Sequence, residues 1–371
     1  MNTRTERIMK ALEERGLSQM LVVDPMSIYY MTGVYIEPHE RFYGLLLRKN
    51  GGHVLFLNNL FTIPDGVELE KVWYSDTDPA MDYVMEYIDP NCRLGVDKDI
   101  KARFLLPLME NHAATGFENA SLAVDVTRGI KDEEEKEKMR AASKINDQAM
   151  ARFRELVKEG ITEKEIADQT LEIYKELGAE GFSFDPIVSF GANAADPHHM
   201  PDDTVLKAGD VILFDVGCIK DGYCSDMTRT FCYKEVTAKN KEIYDLVLNA
   251  NRSAIAKIKP GVPLCELDKT ARDIITEAGY GEGFNHRLGH FIGLSEHEFG
   301  DVSLTNETKA EPGMIFSIEP GIYLPGDTGV RIEDLVLVTE DGVEVLNSYT
   351  KELQVIEIGR ASCMERVLLA V

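Results

Sequence analysis

Between Val211 and Val338 the chain sets single ionisable residues inside short apolar runs of strand type, and this restricts the fold more than any other feature. Val211–Gly217 (VILFDVG) carries Asp215, and Tyr223–Cys232 (YCSDMTRTFC) carries Asp226. Met314–Pro320 (MIFSIEP) ends with Glu319, Gly329–Val338 (GVRIEDLVLV) carries Glu333, and the Gly-rich His286–Glu298 (HRLGHFIGLSEHE) carries His290. A strand that buries a charge must also bring a partner to it, because an unpaired charge out of water is strongly disfavoured. Lys220-Asp221-Gly222 reads as a hairpin turn between the first two runs. A hairpin centred there places Asp215 opposite Asp226. Directly opposed residues have Cβ atoms ~4.5–5.5 Å apart, and like charges at that spacing repel unless a cation lies between them. In the last run, alternation puts Arg331, Glu333 and Leu335 on one face and turns Asp334 to the other.

Asp215, Asp226, His290, Glu319 and Glu333 together bring four carboxylates and one imidazole. One divalent ion leaves two of the four negative charges uncompensated, and two ions neutralise the set. Oxygen-rich ligation with a single histidine suits Mn²⁺, with Co²⁺, Fe²⁺ or Zn²⁺ as alternatives, better than it suits a thiolate-type zinc site. Two such ions ~3.5–4 Å apart polarise a carbonyl and activate water, which is machinery for hydrolysis. Singly, each residue has an ordinary reading. An Asp in a hairpin is usually a turn or edge residue, and a His beside glycines is usually structural. The recurrence across several apolar segments carries the argument.

A chain of 371 residues suggests two domains. Residues 1–125 read as an α/β unit, with strands at Met20–Asp24, Gly44–Leu47 and His53–Leu57. Ile130–Ala142, rich in Lys and Glu, predicts a solvated helix leading into a second domain that spans 126–357. That second part contains a repeat with a period of 101: Gly160-Ile161 matches Gly261-Val262, Glu165-Ile166 matches Glu266-Leu267, and Gly178 matches Gly279. Two similar halves would then face each other with a site between them. Thr162 and Glu165 have capping-box spacing. Ile358–Val371 (IGRASCMERVLLAV) reads as a non-native tail.

Lys plus Arg number 40 and Asp plus Glu 64, a net charge of −24 that disfavours nucleic acid and anionic membranes as partners. The N-terminus has no signal-peptide core, and no run approaches the ~20 apolar residues a membrane helix needs. The six cysteines lack C-x-x-C spacing and read as free thiols. A cytoplasmic location is the expectation.

The order Asp215, Asp226, His290, Glu319, Glu333 resembles the metal signature of the pita-bread metallopeptidases, which include methionine aminopeptidase, aminopeptidase P and prolidase. Gly191–His198 (GANAADPH), Ser225–Thr230 (SDMTRT), His286–His290 (HRLGH), Pro312–Tyr323 (PGMIFSIEPGIY) and Gly329–Asp334 (GVRIED) resemble the Xaa-Pro branch. Tyr30–Gly33 (YMTG) and Glu40-Arg41 extend the likeness, more weakly, into the first domain. The resemblance implies an α+β fold in which a pita-bread catalytic domain follows a smaller creatinase-like α/β domain. It implies two divalent ions held by Asp215, Asp226, His290, Glu319 and Glu333, with Glu333 bridging them, His290 on one ion only, and Glu319 also moving the proton of the attacking water. It places His198 and His297 along the substrate pocket, and Arg331 near the substrate's carboxylate or the carbonyl beyond proline. The implied substrate is a small peptide with proline after the scissile bond, and the implied assembly is a homodimer. Dipeptidase (prolidase) activity is favoured over aminopeptidase P by the compact first domain and total length.

Two residues depart from the family pattern. Phe291 stands where a small residue is usual, and Gly300 where a proline commonly follows. Phe291 leaves two readings open, a narrower pocket or a changed specificity, and this keeps a non-peptide carbon–nitrogen hydrolase open as an alternative. Creatinase, which shares the fold, lacks the metal ligands present here. A non-catalytic binding module is disfavoured because His198, His297 and Arg331 all stand. His199 beside His198 reads as a neighbour without a catalytic part, with an exchange of roles between the two left open.

Overall fold

The computed structural model describes residues 3–357, so the reading of 358–371 as a non-native tail lies outside the described residues. The chain divides into two compact units, the first ending at Arg128 and the second starting at Gly129.

The first unit begins with α1 (Thr3–Glu14), whose Ile8, Met9 and Leu12 are buried at helical spacing. It continues through β1 (Gln19–Val22), α2 (Pro25–Thr32), β2 (Gly44–Arg48), β3 (Val54–Asn58), β4 (Glu70–Tyr74), α3 (Ala80–Met85), β5 (Leu94–Val96), α4 (Ala102–Glu110), β6 (Phe117–Asn119) and α5 (Ser121–Gly129). Asp24 caps α2 through Met26 N and Ser27 N, and Gly33 ends it with φ 72°. The strands form one mixed sheet in the order β4-β3-β2-β1-β5-β6. Every residue of β1 and β3 is buried, so Met20–Val22 and Val54–Leu57 are unbroken apolar runs rather than alternating ones, with polar Gln19 and Asn58 at the strand ends.

The second unit is built twice over. α6 (Glu133–Leu156) and α7 (Glu163–Glu176) lead to β7 (Gly181–Phe182), β8 (Ile187–Phe190), β9 (Val211–Val216), β10 (Cys218–Lys220), β11 (Tyr223–Cys224) and β12 (Met227–Tyr233). α8 (Ala238–Lys257) and α9 (Leu264–Glu277) lead to β13 (Gly289–Phe291), β14 (Glu298–Val302), β15 (Ile315–Ile318), β16 (Gly321–Leu324), β17 (Thr328–Arg331), β18 (Asp334–Val338), β19 (Val343–Val345) and β20 (Val355–Ile356). α7 and α9 have 14 residues each, and their starts, at 163 and 264, are 101 apart. The helix expected over Ile130–Ala142 starts later and runs on to Leu156, because its buried stripe continues through Asn146, Ala149, Met150 and Phe153. Capping boxes open both α6 (Asp132, Glu135) and α7 (Thr162, Glu165).

In the sheet β20-β12-β9-β8, alternation along β9 sends Ile212, Phe214 and Val216 into the core beneath α6 and α7. Val211 and Leu213 enter the core beneath α8 and α9 instead, and Asp215 continues their parity at the strand's end. The second half forms the sheet β14-β13-β15-β18-β19. The expected continuous strand over Gly329–Val338 is broken at Ile332-Glu333. β17 pairs with β16, whereas β18 pairs with β15, so the chain changes ladder there. Both Arg331 and Glu333 still reach one cavity, and Asp334 turns away to meet Arg229 and Lys351.

Candidate metal centre

The hairpin between β9 and β12 differs from the register read in the sequence. Asp221 and Gly222, with φ 50° and 78°, form a two-residue loop, and Lys220 stands opposite Tyr223. Asp215 therefore lies opposite Thr228 and not Asp226. The displacement is two residues, an even number, so the face is preserved and Asp226 remains beside Asp215 in the cavity.

All eight residues singled out in the sequence line one cavity of about 590 Å³: His198, Asp215, Asp226, His290, His297, Glu319, Arg331 and Glu333. The first half of the unit contributes Asp215, Asp226 and His198, and the second half the rest. β13 lies close to β15 because Gly289 has no Cβ; one there would stand 1.9 Å from the Ser317 carbonyl oxygen. Ser317 Oγ accepts from His290 N at 3.0 Å and donates to Glu319 Oε1 at 3.1 Å, tying two candidate ligands to one strand. His290 Nε2 lies 3.5 Å from Asp226 Oδ2 and 3.6 Å from Glu319 Oε1. Ligand atoms of Asp226, His290 and Glu333 all fall within 4.8 Å of one another.

The electrostatics of this group fit a cation. Asp215 Oδ1, Asp226 Oδ1 and Glu333 Oε1 are buried with no hydrogen-bond partner among the described residues. Buried carboxylate oxygens are otherwise nearly always satisfied. Burial, then the charge of Asp215, pushes the Asp226 carboxyl far above the ordinary carboxylate range. Burial, then Asp226, does the same to Glu333. Arg331 balances one of the four carboxylates, which leaves more negative charge than a single divalent ion neutralises. The donor set therefore suits oxygen-seeking divalent ions.

The other side chains are held individually. Arg331 is buried and donates from Nε to Thr228 Oγ1 (3.1 Å), from Nη1 to Tyr323 Oη (2.9 Å), and from Nη2 to Asp215 Oδ2 (2.5 Å) and Pro197 O (3.5 Å). The guanidinium lines the cavity together with the candidate ligands. Thr228 Oγ1 in turn donates to Glu333 Oε2 at 2.7 Å. Burial, then the neighbouring His290, pushes the His297 imidazole down to about 4. The His297 and His290 rings lie 4.0 Å apart, centroid to centroid. Thr228 and Tyr323 were missed in the sequence because a Thr or Tyr in a strand carries no signal of its own.

Phe291 does not narrow the cavity. Its ring is buried against Phe316, 5.5 Å between centroids, within the core beneath α8 and α9. The ring covers Gly300, where an added Cβ would meet it at 2.8 Å, and Gly300 has φ 112°, which proline cannot adopt. The two departures from the family pattern thus pack against each other, and neither lines the cavity.

Residues 137–340 match metallopeptidase family M24, and residues 4–148 match the creatinase/prolidase N-terminal domain. The chain belongs to this family of pita-bread metallopeptidases and is a peptidase. It is 40% identical over 360 residues to an uncharacterized peptidase of Staphylococcus aureus, covering 94% of this chain and 100% of the relative. Among solved structures, the prolidase of Pyrococcus horikoshii is similar with TM-score 0.86 and 32% identity, covering 95% of this chain and 100% of that one. The X-Pro aminopeptidase of Thermotoga maritima is similar with TM-score 0.82 and 30% identity, covering 95% and 99%.

Proposed function

We propose that this peptidase hydrolyses the bond between a residue and a following proline, with dipeptides preferred, in the cytoplasm and as a homodimer. The observation that carries the reading is the single cavity shared by His198, His297 and five candidate ligands, three of which present unsatisfied buried oxygens. Asp215, Asp226, His290, Glu319 and Glu333 would hold two divalent ions, Mn²⁺ foremost. Such ions supply Lewis acidity toward the scissile carbonyl and lower the pKa of water.

The chain's own groups do the rest. Glu319, steadied by Ser317, takes and returns a proton. The nitrogen of an Xaa-Pro bond has no N–H and leaves as a secondary amine, so a proton must reach it as the bond breaks. His198 and His297 line the cavity where the carbonyl oxygen gains charge, and hydrogen-bond to it. Arg331 holds Asp215 in place. A second guanidinium, Arg287, lines the same cavity with no hydrogen bond from its side chain among the described residues, and we assign it to the carboxylate that follows proline in a dipeptide. The trans isomer, which dominates Xaa-Pro bonds, is the form taken.

The test is to strip the protein with chelator, restore Mn²⁺, and compare Leu-Pro with Leu-Pro-Gly. Metal-dependent cleavage of the dipeptide supports the reading. Preference for the tripeptide moves the protein to the aminopeptidase branch, which the likeness to the T. maritima enzyme keeps as the second reading. No cleavage of either with metal bound defeats both.

A further inference from the structure

Two histidines stand side by side at 198 and 199, and their surroundings are opposite. His198 lines the cavity, whereas His199 Nε2 lies 2.7 Å from Glu163 Oε2. Glu163 opens α7, and its side chain is fully buried. Its carboxylate receives four donors. Phe190 N (2.6 Å) and Asn193 Nδ2 (3.0 Å) reach Oε1; His199 Nε2 and Asp202 N (3.2 Å) reach Oε2. The first N–H groups of α7, which have no partner inside the helix, are used the same way: Glu163 N donates to Thr204 O and Lys164 N to Asp202 O. The start of α7 thus grips the stretch from the end of β8 to Thr204, a 3-10 helix over Gly191–Ala195 followed by a loop. That stretch carries Pro197, His198 and Met200, all on the cavity wall.

Glu163, His199 and Asp202 also bring ligand atoms within 4.8 Å of one another. A cation is nevertheless a poor occupant, because both Glu163 oxygens already accept two N–H groups each and Asp202 Oδ1 accepts from Thr204 N at 2.7 Å. N–H donors aimed at a carboxylate repel a cation placed among them. The cluster is a tether.

We propose that Glu163 and His199 form a positioning pair that fixes His198 in the cavity wall and decides which of two adjacent imidazoles reaches the substrate. This rests on the assignment of His198 to the substrate carbonyl made above. A side chain on an irregular loop has no ladder to fix its direction. The buried carboxylate supplies that constraint by holding the neighbouring residue.

The test is a cycle on Mn²⁺-loaded protein with an Xaa-Pro dipeptide. His199→Leu lowers kcat by ~10–100-fold, since misplacing a group by about an ångström costs up to ~100-fold, while KM and bound metal stay near wild type. His199→Gln, which keeps an N–H at similar reach, recovers most of the loss. In a His198→Ala background, His199→Leu costs nothing further, because groups that act as a unit are not additive. An equal loss in both backgrounds, or no loss in the wild type, overturns the proposal. Hydrogen exchange gives a second readout that needs no turnover. His199→Leu speeds exchange at amides between 190 and 204 and Gln does not; unchanged exchange defeats the tether. If the wild type cleaves no Xaa-Pro peptide but exchange responds as stated, the substrate reading fails and the tether stands.

Discussion

At the scale of residues, the side chains that deliver the charge were legible and those that hold them were not. Asp215, Asp226, Glu319 and Glu333 stand out because a carboxylate in an apolar strand violates a local pattern. Thr228 violates nothing, yet its hydroxyl joins Glu333 to Arg331. Groups that orient a ligand typically alter metal affinity by ~10–100-fold when removed. Thr228→Val is therefore expected to weaken Mn²⁺ binding by about that factor, and Thr228→Ser to restore it. Titration calorimetry on stripped protein measures this, and equal affinity in the Val variant would refute the role. Arg287 admits a separate check. Arg287→Ala should raise KM for Leu-Pro by ~10-fold or more with kcat little changed, because a charge-assisted pair is lost in binding. An unchanged KM would remove Arg287 from the anchor assignment.

At the level of elements, periodicity is legible in the sequence and register is less so. α7 and its capping box follow from Thr162, Glu165 and the apolar spacing, all of them local. The hairpin register depends on which residues take positive φ. Asp221 and Gly222 both do, so the turn is centred one residue later than the register that opposes Asp215 to Asp226, and every partner shifts by two. The Phe291–Gly300 contact was illegible for a different reason: it joins β13 to a bulged β14 through a φ that no residue pattern displays. Gly300→Ala puts a Cβ against the ring in an unfavourable backbone region and is expected to cost ~1–3 kcal/mol in chemical unfolding. Phe291→Ala alone leaves a cavity and costs ~3–5 kcal/mol. If the ring is what the new Cβ strikes, the double variant is more stable than the sum of the single costs predicts. Simple additivity would show that backbone strain alone acts at Gly300.

At the scale of the whole molecule, the 101-residue repeat anticipates two halves, each bringing part of a charged cluster that neither could bury alone. The carboxyls of Asp226 and Glu333 are raised far above their unperturbed 3.8 and 4.5 in the metal-free protein. The folded state then binds more protons there than the unfolded state does. Their contribution to stability is fully present below those unperturbed values and is lost as pH rises toward the raised ones. Divalent ions require the ionised carboxylates, so metal binding displaces the protons and strengthens as pH rises. The metal-dependent gain in stability therefore grows with pH. At saturation 100-fold above Kd it amounts to about 2.7 kcal/mol per site. Thermal unfolding of stripped and Mn²⁺-loaded protein between about pH 5 and about pH 8, at fixed metal concentration, should give Tm values that diverge steadily as pH increases, with protons released on Mn²⁺ addition most abundantly at the acid end. A gap in Tm that stays constant or narrows with pH would mean that the buried carboxylates are not the groups the metal displaces protons from, and the ligand set would have to be sought elsewhere in the cavity.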